Sequence, residues 1–219
     1  MYLKNKVCTL FMVNTQQGVS MDLNFEYLFS MYIVTLKDLN VDNDKLTEYA
    51  YSTRKKDNGV EKSNWKGWQS DTLQEKNSEI EKLCSIIETS CNTLKENLGF
   101  KKHLIPKINN IWLNVNSTGS FNRPHLHPGS VFSGTYYVQK SESDGNIVFT
   151  TPCVQQQYHI EKEMIEKFHP TTSSVYTIPA DSGTMLIFPS WAEHFVEPNN
   201  TNKDRISIAF NVTLLEDKT

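Results

Sequence analysis

The chain has 219 residues, 38% of them hydrophobic and 21% charged, with a formal net charge of −3. That length makes one generous domain, or a domain with a helical annex, able to bury roughly 70% of its unfolded surface without disulfide staples. The slight acidity gives no basic footprint for nucleic acid, so no nucleic-acid partner is expected. The apolar run Val7 to Val13 is interrupted by Thr9 and has no small-residue cleavage signature, which excludes neither strand nor core but argues against a leader or a membrane span.

Residues 1–20 are polar with scattered apolar positions and read as a frayed N-terminal extension ahead of a single domain over 21–219. Tyr, Phe, Ile, Val and Leu between Phe25 and Leu39 suit a first strand or two, and Asp42 to Tyr51 a short helix. Arg54 to Ser70 reads as a long loop anchored by Trp65 and Trp68. From about Asp71 to Leu98 apolar residues recur at Ile80, Leu83, Cys84, Ile87, Cys91, Leu94 and Leu98, the three-and-four spacing of a long amphipathic helix. Thr72 with Glu75 fits a capping box for it, and Gly99 a stop. The four cysteines form no CxxC pair, and two lie on this helix as small apolar residues, so a reduced, cytoplasmic setting is expected.

After Pro106 the pattern is short β-branched and aromatic runs: Ile111 to Asn116, Ser133 to Gln139, Asn146 to Thr150, Val175 to Ile178, Thr184 to Pro189 and Arg205 to Leu214. Strands so spaced, without helices between them, argue for a mainly β protein, an antiparallel barrel or sandwich with core about 108–214 and the helix packed outside. Gln155 to Ser174 breaks the rhythm and reads as an inserted loop of the kind that often borders a site.

Chemistry concentrates in Gly119 to Pro128. His125 and His127 alternate on an extended backbone and so share a face, with Pro124 and Pro128 ending regular pairing at a sheet rim. His194 follows the Thr184 to Pro189 strand at a second rim position. A histidine pair from one strand end plus a lone histidine from another can hold a metal with open coordination positions. His103, His159 and His169 sit in polar surroundings and read as solvent-exposed. On the last strand Arg205, Ser207, Ala209 and Asn211 share a face, a pocket floor whose guanidinium and hydroxyl suit a carboxylate. A surface salt bridge from Arg205 to Asp204 or Glu193 is the plainer alternative.

Trp112/Asn114, His125/His127/Pro128, Ser133/Gly134/Tyr136/Tyr137, Phe188/Pro189/Ser190/His194 and Arg205/Ile206/Ser207, with Gly67-Trp68-Gln69-Ser70 upstream, stand in the order of a known family. The chain resembles the 2-oxoglutarate/Fe(II) oxygenases of the double-stranded β-helix (jelly-roll, cupin-like) fold, in particular a prolyl-hydroxylase-like group, from roughly Tyr27 to Leu214. The resemblance implies iron held by His125 and His194, with 2-oxoglutarate reaching Arg205 and Ser207. Asn114 and either Tyr136 or Tyr137 would add polar groups to that pocket. It further implies hydroxylation of a C–H bond in a peptide or small-molecule substrate, with release of succinate and CO2.

The departure is His127, which stands where the superfamily carries His-x-Asp or His-x-Glu. Either His127 is the third ligand of a more positive, three-imidazole site that also suits zinc or copper, or it stands aside. A cupin-type metal-binding protein or isomerase with a three-histidine site is the alternative. Its motif opens well at Gly119 but fails further on, where Val131-Phe132 replaces the expected glutamate. A metal-free β-sandwich interaction protein would leave Arg205 and Ser207 without a role.

Overall fold

The computed structural model describes residues 8–14, 20–26, 30–169 and 171–217. The chain divides into two compact units, residues 1–32 and 33–219. In the first, β1 (Cys8–Asn14) and β2 (Ser20–Glu26) pair antiparallel. The extension expected over 1–20 thus includes a strand, and the rest of it lies outside the described residues.

The second unit is built on β3 (Val34–Leu36), α1 (Asn43–Arg54), β4 (Asn64–Trp65), β5 (Trp68–Gln69), α2 (Ser78–Asn97), β6 (Leu104–Asn116), β7 (Phe121–His125), β8 (Phe132–Gln139), β9 (Ile147–Thr150), β10 (Val175–Ile178), β11 (Met185–Pro189), β12 (His194–Val196) and β13 (Arg205–Glu216). The strands form a five-stranded antiparallel sheet, β10-β9-β12-β7-β4, and a six-stranded one, β3-β11-β8-β13-β6-β5. Phe149 of the first meets Phe188 of the second edge-on, with ring centroids 4.9 Å apart, so the sheets pack face to face. Among the described residues no helix is long and apolar enough to cross a membrane.

Alternation along β6 and β13 divides the six-stranded sheet into two chemically different faces. Ile111, Leu113 and Val115 of β6 and Ile206, Ile208, Phe210 and Val212 of β13 are fully buried on one face. That face meets the helices, which contact β6 and β8. On α2 the stripe Ile80, Leu83, Ile87 and Cys91 is buried, and each large apolar side chain there contributes about 1.5–3 kcal/mol. The other face carries Asn110, Asn114, Asn116, Arg205, Ser207 and Asn211 into a cavity between the sheets.

α2 is shorter than the helix expected over 71–98. Its N-cap is Asn77, whose side chain accepts from the Ile80 amide at 2.9 Å, so Thr72 and Glu75 form no capping box. Residues ahead of it are committed to the sheet: the Ser70 and Leu73 amides donate to the Leu113 and Ile111 carbonyls. The expected stop holds, since Gly99 has φ of 76° and bonds back to Glu96. The insertion over 155–174 contains two 3-10 turns, Val154–Tyr158 and Lys162–Met164. Asn77→Ala is expected to cost about 0.5–2 kcal/mol in chemical denaturation, and Thr72→Ala less than half of that. The reverse order would return the helix start to residue 72.

Candidate active site

His125 ends β7 and His194 begins β12, and the two are direct cross-strand partners. His127 lies two residues on, its amide held by the Ser190 carbonyl at 2.9 Å. One ligand nitrogen from each of the three falls within 4.8 Å of the others. The His125 and His194 rings are 4.3 Å apart, and His194 packs against the mutually touching Phe149 and Phe188 at 5.6 and 4.8 Å. Trp112 lies 5.9 Å from the His127 ring.

The second ring nitrogens orient the set. Nδ1 of His125 is 2.7 Å from the Arg123 carbonyl, and Nδ1 of His194 is 2.9 Å from that of Ala192. Each Nδ1 therefore donates, which leaves Nε2 with its lone pair for a metal. Ser63 Oγ sits 3.4 Å from Nε2 of His125. Burial pushes all three imidazoles toward the neutral form, His127 to about 4 and His194 to about 3, with the neighbouring histidines adding to both shifts. Neutral, convergent imidazoles are the donor set that a divalent transition metal takes.

The cavity beside them has a volume of about 750 Å³ and reaches Arg205. Arg205 is 2% exposed, so the surface salt bridge is ruled out; Asp204 pairs with Arg54 instead, at 3.6 Å. One side of the guanidinium is fixed by backbone oxygens, since Nη1 donates to the carbonyls of Asp144, Gly145 and Glu197. Gly145 makes that approach possible: its φ is 87°, and a Cβ there would lie 2.3 Å from the Glu197 oxygen. Nη2 is buried and has no partner among the described residues. An unpartnered guanidinium nitrogen at a polar cavity fits a carboxylate.

Ser207, Asn114 and Tyr137 line the cavity as well. Registers place Gln69, Asn114, Ser207 and Tyr137 in one row across β5, β6, β13 and β8. Burial raises the Tyr137 phenol far above its ordinary value, so it remains a hydrogen-bond donor. Tyr136 is excluded from this pocket. Strand alternation turns it to the helix side, where its hydroxyl donates to Asn43 Oδ1 at 2.7 Å. Gln69 was not singled out as a site residue because β5 has only two residues and shows no periodicity, although its motif with Trp68 and Ser70 was visible. None of the described residues of 151–178 lines the cavity. His103 and His159 are exposed, as expected, whereas His169 is half-buried beside Thr171.

Two antiparallel sheets packed as a jelly roll thus enclose a cavity with three convergent histidines at it. Residues 110–211, which hold all three histidines, Arg205 and Ser207, match the family model described as "Putative 2OG-Fe(II) oxygenase". The matched stretch, a little under half of the chain, is similar to 2-oxoglutarate- and Fe(II)-dependent oxygenases. A Pseudomonas putida prolyl-4-hydroxylase superposes with a TM-score of 0.57 at 12% identity, over 83% of this chain and 91% of that one. A Trichoplax adhaerens prolyl hydroxylase, solved with a hypoxia inducible factor peptide fragment, gives 0.59 at 11%, over 83% of each chain. The viral collagen prolyl hydroxylase of Paramecium Bursaria Chlorella virus-1, solved as a 2-oxoglutarate complex, gives 0.55 at 12%, over 83% and 95%. No curated protein matches by sequence. The cupin-type alternative gains no support from these matches.

Two outcomes follow from the charges of the site. Between pH 6.5 and about 4 the unfolded chain binds protons that the folded histidines refuse, so stability of the metal-free protein falls as pH falls. Urea unfolding at pH 7.5 and 5 should show His127→Gln losing about 1–2 kcal/mol less than the native chain over that interval. Equal losses would mean that His127 is not held neutral. The Lys140–Asp144 pair, 2.8 Å apart with side chains 1% and 2% exposed, carries the turn whose carbonyls hold Arg205. Lys140→Met, which strands the carboxylate, should cost about 3–5 kcal/mol; a loss under about 1 kcal/mol would show that Asp144 reaches solvent.

Proposed function

We propose that this protein is a 2-oxoglutarate- and Fe(II)-dependent oxygenase that hydroxylates a C–H bond of a peptide or small molecule, with His125, His127 and His194 as the metal ligands and Arg205 as the anchor of the 2-oxoglutarate tail. The single observation that carries the reading is the unpartnered, buried Nη2 of Arg205 in the cavity that also holds three convergent imidazoles. The frame is a double-stranded β-helix with α2 laid on its outside.

Arg205 Nη2, Ser207 Oγ and the Tyr137 hydroxyl supply donors at the closed end of the cavity, and Asn114 extends that polar row. A C5 dicarboxylate held there by its far carboxylate directs its keto acid end toward the histidines. His125 and His194 approach as neutral donors whose tautomers are fixed by the Arg123 and Ala192 carbonyls. His127 converges with them to the same 4.8 Å, which favours ligation over standing aside. When bound, Fe(II) with 2-oxoglutarate and dioxygen supplies the oxidation: one oxygen atom enters the substrate C–H bond and the other enters succinate as CO2 leaves. Phe149 and Phe188 shield one side of His194 from water. The free thiols of Cys84, Cys91 and Cys153 agree with a reduced, cytoplasmic setting.

With Mn(II) present, 2-oxoglutarate should raise the melting temperature, since it binds the folded state alone. Arg205→Ala removes a charged hydrogen-bonding contact of about 1.5–3 kcal/mol, so calorimetry should show cosubstrate affinity weaker by about 10- to 150-fold. An unchanged affinity would place the carboxylate elsewhere. His127→Ala should lose stoichiometric Mn(II); retention of the metal would return His127 to a supporting position.

A further inference from the structure

The same cavity has a second polar end, opposite Arg205 along β13. Arg205, Ser207, Ala209 and Asn211 follow one another on its inner face, so Asn211 stands about 20 Å from Arg205 at ordinary strand rise. The histidines fall between: Trp112, in ring contact with His127, is the partner of Ala209. If the cosubstrate occupies the Arg205 end, as proposed above, this other end is where a substrate meets the metal centre.

Its chemistry is specific. Asn211 Oδ1 accepts from Ser133 Oγ at 2.7 Å, and Ser133 Oγ lies 2.8 Å from Ser190 Oγ. That chain fixes the carboxamide of Asn211 and leaves its Nδ2 hydrogens without a partner among the described residues. Directly across the ladder stands Asn110, whose Oδ1 is buried and accepts no hydrogen bond. The register shift after Asn211 gives β6 an extra residue, Asn109, which is turned away to Ser130 Oγ at 3.1 Å. Bulges commonly re-aim a side chain beside a site in this way. The result is one donor and one acceptor on neighbouring strands, neither of them charged. The charged side chains at the cavity rim, Lys62, Asp71 and Arg123, are exposed.

We propose that Asn110 and Asn211 form a substrate subsite for an uncharged amide, its carbonyl received by Asn211 Nδ2 and its N–H by Asn110 Oδ1. A peptide group or a carboxamide satisfies both partners at once. A carboxylate would set its oxygen against Asn110 Oδ1, and an ammonium group would leave the Asn211 donors facing another donor.

The test uses the full chain loaded with Mn(II) and 2-oxoglutarate, and reads the paramagnetic broadening of probe NMR signals. Probes are the N-acetyl amino-acid N-methylamides, the matching free amino acids, and glucose. Capped amides should broaden at concentrations where free amino acids and glucose do not. Asn110→Leu and the near-isosteric Asn211→Asp should each weaken that binding by about tenfold or more, while the 2-oxoglutarate melting shift stays native, which also reports that the variants fold. Equal broadening by free amino acids or glucose, or amide binding untouched in both variants, would overturn the subsite. A missing 2-oxoglutarate shift with amide binding still dependent on Asn110 would instead strike the cosubstrate reading alone.

Discussion

The register between β7 and β12 is the constraint on which the site depends. His194 pairs with His125, but Val196 pairs with Asn122, so β7 spends three residues where β12 spends two. The extra residue lies in Arg123-Pro124, where proline has no amide to offer a ladder. Without that irregularity, strict alternation would put Asn122 and His125 on opposite faces. With it, both line the cavity. One imperfect turn of the ladder thus gathers His125 onto His194 and keeps a polar neighbour inside, and His127 follows because its amide is pinned to Ser190 at the end of β11.

The six-stranded sheet supplies the complement by putting its apolar residues on the outside. Its stability comes from Ile111, Leu113, Ile206, Ile208 and Phe210 against the helices, so the inner face is free to be polar. A barrel that packed its interior with those side chains would have no room for a cavity of this volume. The cost of a polar interior is that every buried group needs a partner. Three buried side-chain atoms lack one among the described residues, Ser120 Oγ, Arg205 Nη2 and Asn110 Oδ1, and the last two belong to residues at opposite ends of the cavity.

Much of this was legible in the chain. Alternation along Arg205 to Asn211 indicates the pocket floor, and the His-x-His pair with His194 indicates three histidines at strand rims, with the part of His127 left open. The long strands and the apolar stripe of α2 have enough residues to reveal a period. What escaped has a common physical cause. β4, β5 and β12 have two or three residues each, too few for any period, so the row from Gln69 to Tyr137 emerges only from pairing. The choice between Tyr136 and Tyr137 needs to know which face is inward, and a run in which both faces are buried conceals it. The start of α2 was misplaced because Thr72 and Glu75 satisfy a local capping pattern, while a tertiary contact, Leu73 with β6, holds that segment to the sheet.

Charge gives the three-imidazole arrangement its consequence. Around the histidines the cavity offers Arg205, Lys62 and Arg123 as cations and, as acid, only Asp71 at the exposed rim. A carboxylate in the place of His127 would cancel one positive charge of a divalent ion; three neutral imidazoles cancel none. Binding a dianion such as 2-oxoglutarate would cancel the charge of the ion, and the Arg205 guanidinium on its far carboxylate would leave the whole assembly one charge positive. The same reasoning bears on what else can enter. An additional cation at the Asn110 and Asn211 end would then be buried beside a positive assembly, so the electrostatics of the histidine set would disfavour cations in the same direction as the Asn211 amide donors.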